Sequence, residues 1–477
     1  MRIVYIDMDC MRPDHFGGYG YHRNTTPNLD SIIRRGVRFT ECHTSDSPCV
    51  PSRAALFSGR FGIHNGVNTH WGPGGELRAD PGAPMFMRLL RQHGYRTVSF
   101  SSFADRHNAW WFACGWHELN TFTLKRGAED ADELVAEALP WFEHNIAQDD
   151  LFIHLNFWDP HRNYTMPSNW LERFRDEPPP AWPDQDAIDS HQDNYGPFSA
   201  GQLHPWPREG SPTPCMPEAI RTVDDWKQFV DGYDASIAFM DDQIGRLLGV
   251  MSDKGVLDDT VFILSCDHAE AMGEFGIYGD HVCACEGVHN IPMVVAWPGV
   301  TPPDISSDSL VYNVDLPPTV CELLKIPVPE GWDGMSFAPI LRSGQSTHRD
   351  HLVWTHGLYS CQRVVRTPQW ALTRTYHPGL FDFPEVQLHD IGQDRRQTAN
   401  VAREHPEVVR NLDHLLMQWQ QEQLGRPGRG VDPLQLIVQT GPWKYVRPEA
   451  WLSRLEEQDQ GEAAARIRAR LGLPDLG

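Results

Sequence analysis

Short runs of apolar, β-branched residues alternate with longer segments that carry apolar residues at helical spacing, and this alternation constrains the fold more than any other feature. It is typical of a largely parallel sheet flanked by helices. The predicted strands are residues 2–6, 97–101, 151–157, 261–265 and 293–296. The predicted helices are residues 85–92, 131–142 and 226–251. We therefore expect an α/β fold with a large, mostly parallel central sheet.

A chain of 477 residues has room for more than one structural unit. We predict a main α/β domain over residues 1–345 and a smaller α+β subdomain over residues 346–425, since strand-like runs there are followed by a helical pattern at 406–423. Residues 176–217 are rich in Pro, Asp, Gln, Gly and Ser, which indicates an insertion loop over one edge of the sheet. The tail, residues 426–477, carries a charged helical pattern at 452–471. It is expected to clasp either the body or a second subunit, so a homo-oligomer is one alternative.

Acidic side chains outnumber basic ones, with 64 Asp and Glu against 41 Lys and Arg and a formal net charge of -23. No basic field is present to hold a nucleic acid or an anionic membrane, so neither is expected as a partner. The N-terminal residues enter a strand-like run without an export signal, and no run of about 18 apolar residues suggests a membrane span. We therefore expect a cytoplasmic protein whose scattered cysteines are mostly reduced and buried.

Acidic residues directly follow two of the predicted strands. Asp7 and Asp9 end the first strand, and Asp267 and His268 follow the strand at 261–265. Open α/β sheets bind their ligands outside the carboxyl ends of the strands, and carboxylates with one imidazole suit a divalent cation. The alternative is that these acids cap helices or turns.

Cys49 stands at the start of a predicted helix, because Pro51 suits a first helical turn and the residues after it are helix formers. A helix N-terminus lowers the pKa of a thiol and attracts anions. The alternative for an arbitrary cysteine is a small buried side chain.

The segment from Cys49 to Arg53 reads Cys-Val-Pro-Ser-Arg and is followed by Leu56 and by Ser58-Gly59-Arg60. It resembles the signature of the type I sulfatases, in which Cys-x-Pro-Ser-Arg directs oxidation of the cysteine to formylglycine. The chain is also similar to that family, in the family's order, at residues 9–20, 26–30, 157–161, 267–274, 292–299, 314–319 and 384–390. The resemblance covers about residues 1–425 and leaves the tail outside.

This resemblance implies an alkaline-phosphatase-like α/β fold with catalysis in residues 1–345. It implies one divalent cation, calcium first, bound by Asp9, Asp267, His268 and the modified side chain of Cys49. A small organic sulfate ester would be the substrate, and a formylglycine-generating enzyme would be the maturation partner. The hydrated aldehyde would attack the sulfur, which is covalent catalysis by a metal-activated oxygen. Arg53 would hold the nucleophile and the anionic sulfuryl group.

Four further residues are assigned by the resemblance. His161 matches the family position that hydrogen-bonds the sulfate near the bridging oxygen, where a histidine can protonate the leaving alcohol near neutral pH. His281 falls where many sulfatases carry a lysine that binds the sulfate. His70 and Asn68, shortly after the signature helix, are expected to line the substrate pocket.

Two departures from the family pattern leave alternatives open. Cys10 stands where many members have a second Asp, which removes one carboxylate and makes manganese the alternative to calcium. The family's Lys-x-His is missing, so the base that regenerates the aldehyde is unassigned, with His107 as a candidate. In both departures the chain resembles the neighbouring phosphonate monoester and phosphodiester hydrolases. The second hypothesis is therefore that it hydrolyses a phosphonate monoester or a phosphodiester. The third is a catalytically silent binding protein that keeps the fold with Cys49 unmodified.

Overall fold

The computed structural model describes residues 1–123, 125–205, 215–344, 348–426, 430–443 and 448–473. The strands in these ranges are β1 (Arg2–Met8), β2 (Val37–Phe39), β3 (Cys42–His43), β4 (Asp46–Ser47), β5 (Arg96–Phe100), β6 (Glu118–Asn120), β7 (Leu151–Phe157), β8 (Thr260–Cys266), β9 (Ala271–Met272), β10 (Tyr278–Asp280), β11 (Met293–Ala296), β12 (Ile305–Ser307), β13 (Val311–Tyr312), β14 (Leu352–His356), β15 (Cys361–Arg366), β16 (Trp370–His377) and β17 (Val386–Asp390).

The α-helices of the same ranges are α1 (Pro27–Ile33), α2 (Cys49–Ser58), α3 (Gly62–Asn65), α4 (Phe86–Gln92), α5 (Phe103–His107), α6 (Ala131–Asn145), α7 (Gln185–Ser190), α8 (Val223–Asp253), α9 (Glu286–His289), α10 (Leu316–Leu323), α11 (Ala338–Ser343), α12 (Pro406–Gly425), α13 (Pro433–Thr440), α14 (Pro448–Glu457) and α15 (Gly461–Leu471). Short 3-10 helices lie at Pro13–His15, Gly17–Tyr19, Trp110–Ala113, Ser168–Phe174, Glu274–Gly276 and Asn313–Asp315.

An eight-stranded sheet forms the centre, in the order β12-β2-β11-β8-β1-β7-β5-β6. β1 lies between β7 and β8 and is parallel to both, whereas β11 is antiparallel to its two neighbours. Every residue of β7 and β8 is buried, as expected for parallel strands covered by helices on both faces. The predicted α/β fold with a mostly parallel sheet is confirmed.

The helices that cover this sheet have clear start and stop signals. α8 begins with a capping box in which Thr222 and Asp225 each accept the other's backbone N–H, and Gly255 follows its end at φ 66. α6 begins with the same arrangement at Asp130 and Glu133. Such reciprocal hydrogen bonds satisfy the free N–H groups of a first helical turn. α6 and α8 pack against each other beside the sheet.

A second sheet, of five strands in the order β17-β16-β15-β14-β4, forms the predicted smaller C-terminal subdomain. Its edge strand β4 comes from the N-terminal part of the chain and runs parallel to β14, with Asp46 opposite Thr355 and Ser47 opposite His356. The predicted division at residues 345 and 346 lies outside the described residues. This sheet contains strands from both sides of the predicted division, so the two predicted units share it.

The predicted insertion, residues 176–217, contains the short helix α7 and otherwise irregular chain, and its residues 206–214 lie outside the described ranges. The tail packs on the body of its own chain, with Trp451 and Ile467 in one apolar cluster with Phe198 and Leu358. The single predicted helix at 452–471 is wrong. α14 ends at Glu457 and α15 begins at Gly461, because Asp459 takes a left-handed conformation (φ 60) that a continuous helix does not allow.

Within the described ranges, the helices that reach 18 residues are too polar to form a transmembrane segment.

Candidate active site

β4 and α2 place Cys49 at the carboxyl edge of the central sheet. Cys49 is the first residue of α2, and all ten residues of that helix are buried. The helix is held to the loop after β8, since Ser52 Oγ donates to the carbonyl oxygen of Asp267 at 2.6 Å. The side chain of Asn313 donates in turn to Ser52 Oγ at 3.0 Å. The signature segment is therefore a rigid buried helix start, as predicted from Pro51.

The two predicted acid positions meet at this edge. β1 and β8 pair with Met8 opposite Cys266, so the residues that follow these strands are neighbours. One donor atom each from Asp9, Cys49, Asp267 and His268 lies within 4.8 Å of the other three. These are the four residues predicted to hold a cation.

The ring of His268 is oriented so that one nitrogen is available to this group. Its Nδ1 donates to the carbonyl oxygen of Ala269 at 3.0 Å, which leaves a lone pair on Nε2. Nε2 lies 3.1 Å from the Sγ atom of Cys49. Two carboxylates and a properly oriented imidazole therefore face the side chain of residue 49, and this donor set fits a divalent cation.

Arg53 bridges three buried carboxylates. Its Nε donates to Asp7 at 3.0 Å, and its Nη1 donates to Asp9 at 3.0 Å and to Asp267 at 2.5 Å. Burial alone would raise the pKa of Asp7, but the positive charge of Arg53 lowers this pKa below its ordinary value. The pKa of Asp267 is nevertheless raised to about 6 by burial, with repulsion from Asp9 adding to it. One guanidinium thus does not balance three carboxylates, and a divalent cation would supply the missing positive charge.

Cys10 lies next to this group, and its Sγ also forms candidate donor groups with His268 and His281 and with Asp9 and His161. Its thiol donates to Asp9 Oδ1 at 3.2 Å. It lies 3.9 Å from Nδ1 of His268, whereas Cys49 faces Nε2 of the same ring. Since Nδ1 is already hydrogen-bonded to Ala269, Cys10 is on the side of the imidazole that has no free lone pair.

Histidine and tryptophan rings pack together beside this group, and we call this cluster the histidine wall. His281 lies 4.2 Å from His268 and 5.9 Å from His161 between ring centroids. His161 lies 5.1 Å from Trp158, and His107 lies 6.1 Å from the same indole. The predicted residues His161 and His281 are therefore brought together beside Cys49 and the acids.

The charge state of His161 without substrate depends on burial and on its neighbours. Burial first, and then the positive charge of Arg106, lowers the pKa of His161 to about 3. Its Nδ1 donates to the carbonyl oxygen of Arg162 at 2.5 Å. Without a bound anion this imidazole is neutral at pH 7. Its predicted role as the group that protonates the leaving alcohol stays a prediction.

The two predicted pocket residues after the signature helix have different positions. His70 packs 4.8 Å from His107 between ring centroids and belongs to the histidine wall. Asn68 is fully buried, and its Nδ2 donates to Asp46 Oδ1 on β4 at 2.6 Å. The Asn68 amide thus holds the strand that leads to Cys49.

Sequence reasoning missed Arg106, whose guanidinium lies 5.0 Å from the ring centre of Trp158. It is a half-buried positive charge beside the histidine wall. The absence of Lys-x-His was the available signal, because residues 101–107 replace that motif and α5 brings Arg106 and His107 to the pocket. Both ring nitrogens of His107 are buried without a hydrogen-bond partner among the described residues.

Comparisons with known proteins identify the family and the fold. The Sulfatase family model matches residues 2–326, and the model for the C-terminal part of N-sulphoglucosamine sulphohydrolase matches residues 273–422. The chain is 22% identical to an N-acetylglucosamine-6-O-sulfatase of Bacteroides thetaiotaomicron, over 88% of this chain and 86% of the relative. It is 24% identical to an arylsulfatase of Clostridium perfringens, over 87% of this chain and 92% of the relative.

Two solved structures have the same fold. One is a complex of a protein with its substrate D-glucosamine-2-N,6-O-disulfate, with a TM-score of 0.73, 19% identity, and coverage of 90% of this chain and 99% of that one. The other is the phosphonate monoester hydrolase of Agrobacterium radiobacter, with a TM-score of 0.68, 20% identity, and coverage of 88% and 96%. Because the Sulfatase model spans more than half of the sequence, the chain belongs to the sulfatase family of sulfuric ester hydrolases, within the alkaline phosphatase superfamily.

Proposed function

We propose that this sulfatase cleaves a small organic sulfate monoester with formylglycine made from Cys49 and one divalent cation. The observation that carries the proposal is the convergence of Asp9, Asp267 and His268 on the side chain of residue 49. Calcium is the first choice of cation, because the resemblance to the type I sulfatases implies it. Manganese is the second, because the donor set has only two carboxylates and one imidazole. A formylglycine-generating enzyme would be needed as the maturation partner.

Asp9, Asp267, His268 and residue 49 would hold the cation, which supplies Lewis acidity that lowers the pKa of a bound hydroxyl. The hydrated aldehyde supplies one oxygen for attack on sulfur and a second hydroxyl for release of sulfate. Arg53 orients these groups, because its guanidinium is already fixed by Asp7, Asp9 and Asp267. A fork held in this way keeps its geometry while an anion binds.

The histidine wall would act on the leaving group. The Nδ1 hydrogen bond of His161 to Arg162 leaves Nε2 as the nitrogen that can exchange a proton with substrate. A bound anionic sulfate raises the pKa of a nearby imidazole, so His161 would gain its proton as the substrate enters. His281 and His70 would contact the sulfate and the leaving alcohol, while Asn68 would act through Asp46.

A second candidate is hydrolysis of phosphonate monoesters or phosphodiesters. Two of the solved structures with this fold are phosphonate monoester hydrolases, with TM-scores of 0.68 and 0.69. The absence of a carboxylate at Cys10 agrees with the leaner donor set of that branch.

Parallel assays separate the two candidates. We expect kcat/KM on 4-nitrophenyl sulfate or glucosamine 6-sulfate to exceed that on bis(4-nitrophenyl) phosphate and on a phenylphosphonate monoester by at least about tenfold. Each substrate is measured with the same cation-loaded preparation, and the Cys49→Ala variant gives the background rate. A reversed order would replace the sulfate ester by the phosphonate or phosphodiester as the substrate.

Substitution of Asp267 by asparagine is expected to weaken cation binding by about tenfold or more, because it removes a charged ligand and Asn offers only a neutral oxygen. The measurement is cation content by mass spectrometry after equilibrium dialysis against calcium or manganese. Asp159→Asn is the matched control, since Asp159 is a buried carboxylate that accepts hydrogen bonds from Ser236 and Ala131 and lies outside the donor group. Equal cation content in the two variants would show that the cation is not held by Asp267.

A further inference from the structure

A second cavity, of about 720 Å³, lies between the insertion and the C-terminal sheet. Its walls come from four parts of the chain: residues 182–194, the turn Gly273–Gly276, residues 382–389 with the edge strand β17, and residues 393–400. The hairpin of β9 and β10 separates it from the sulfate pocket, because the turn lines this cavity and His281 follows the other end of β10. The volume is in the range of small-molecule sites.

The turn Gly273–Gly276 contains two glycines that let wall residues of the cavity pack against its backbone. Gly273 and Gly276 both have positive φ, and a Cβ at Gly273 would lie 2.8 Å from the indole of Trp182. A Cβ at Gly276 would lie 2.2 Å from the side-chain nitrogen of Asn194. The two glycines therefore allow Trp182 and Asn194 to sit directly against the turn.

The uncommitted polar groups of the wall are carboxamides. Gln387 on β17 is 6% exposed, and its Oε1 has no hydrogen-bond partner among the described residues. The side chains of Asn194 and Gln393 are exposed and make no hydrogen bond to another described residue. A buried carboxamide oxygen without a partner costs free energy that a bound hydrogen-bond donor would recover. Trp182 and Phe383 supply the apolar part of the wall.

Three of the five charged side chains of the wall are paired with residues of opposite charge. Arg395 binds Glu41 at 2.7 Å, and Arg396 binds Glu274 at 3.1 Å. Asp382 accepts a hydrogen bond from an arginine of α15 at 2.7 Å. Asp184 and Asp394 have no basic partner among the described residues. The cavity therefore disfavours an anion and offers carboxylate oxygens as further hydrogen-bond acceptors.

We propose that this cavity binds a neutral saccharide unit. Sugar hydroxyl groups both donate and accept hydrogen bonds, and a carboxamide offers a carbonyl oxygen and an NH2 group side by side. The C–H face of a sugar ring is apolar and packs on aromatic side chains. Amides, aromatic rings and two carboxylates that can accept hydrogen bonds from hydroxyl groups together match an uncharged polyol. This binding is non-covalent and does not depend on the chemistry at Cys49.

Saturation-transfer NMR on the full-length protein tests this site, with glucose, galactose and N-acetylglucosamine as probes. We expect transfer to at least one sugar, and transfer that is retained in Cys49→Ala and unaffected by inorganic sulfate. The Asn194→Ala/Gln393→Ala double variant changes two exposed side chains and should raise the dissociation constant by about tenfold or more. Trp182→Ala should do the same, whereas Gln418→Ala, an exposed position on α12, should bind as the parent protein does.

Three outcomes would overturn the proposal: no transfer to any of the three sugars, transfer that persists unchanged in the double variant, or displacement of the sugar by sulfate. The last result would place the sugar in the sulfate pocket instead. A parent protein that binds the sugar but has no sulfatase activity would contradict the function proposed for Cys49 and leave this site intact, so the two proposals fail separately.

Discussion

Replacement of Cys49 by alanine is expected to lower kcat/KM on a sulfate ester by about 10⁴-fold or more, to the background rate. The side chain at this position faces His268 and lies within the group formed with Asp9 and Asp267. Alanine offers no atom that can be oxidised to an aldehyde. Burial and the two carboxylates raise the pKa of the unmodified Cys49 thiol well above its ordinary value, so a thiolate would not substitute for the aldehyde.

The control is Cys321→Ala, since Cys321 is fully buried on α10, outside the site. Both variants lose one buried sulfur atom, and both should retain the fold by circular dichroism. Mass spectrometry of the Cys49 peptide, from protein made with a formylglycine-generating enzyme, should show a loss of about 18 Da, which exchange of a thiol for an aldehyde requires. Appreciable turnover in Cys49→Ala, or in a preparation whose Cys49 is entirely unmodified, would contradict the assignment of Cys49 as the precursor of the nucleophile.

Replacement of Arg53 by alanine is expected to lower the free energy of unfolding by about 3 to 5 kcal/mol in the absence of a divalent cation. Arg53 is 1% exposed and donates hydrogen bonds to Asp7, Asp9 and Asp267. Without it, three buried carboxylates would face one another with no guanidinium between them. Activity should fall as well, because the anionic substrate loses its positively charged partner.

Denaturant unfolding, with and without added calcium or manganese, measures this effect. A cation that binds the folded state stabilises it by mass action, so the destabilisation of Arg53→Ala should shrink when the cation is added. Arg53→Lys keeps the charge but not the planar fork, and we expect it to be intermediate in stability. An Arg53→Ala protein that unfolds at the parent denaturant concentration without any cation would show that these ion pairs do not stabilise the fold.

Local features of the fold were predictable because each depends on a short stretch of sequence. The strands at residues 151–157 and 293–296 coincide with β7 and β11, since each is a compact run of apolar residues. The neighbourhood of Asp9 and Asp267 followed from the rule that parallel strands end at the same edge. The antiparallel direction of β11 and the break between α14 and α15 were not predictable, because they depend on tertiary contacts and on the backbone conformation of Asp459.

The candidate site also has features that the sequence predicts and features that depend on tertiary contacts. Motif position indicated His161 and His281, and the structure places both beside the acids. Their charge states depend on burial and on neighbours such as Arg106, which no local pattern reveals. The position of Asn68 was likewise beyond sequence reasoning, because its partner Asp46 is 22 residues away along the chain.

The pairing of β4 with β14 has a consequence for the order of events during synthesis. Residues 46–47 are made about 300 residues before their partner strand, which at roughly 5 to 20 residues per second leaves about 15 to 60 seconds. In the finished protein Cys49 is 1% exposed on a helix whose every residue is buried, so a maturation enzyme has no access to its thiol. During translation, however, the Cys-Val-Pro-Ser-Arg segment emerges before β14 has been synthesised and can pair with β4. The proposed oxidation of Cys49 would therefore take place on the growing or unfolded chain, and folding would compete with it in time.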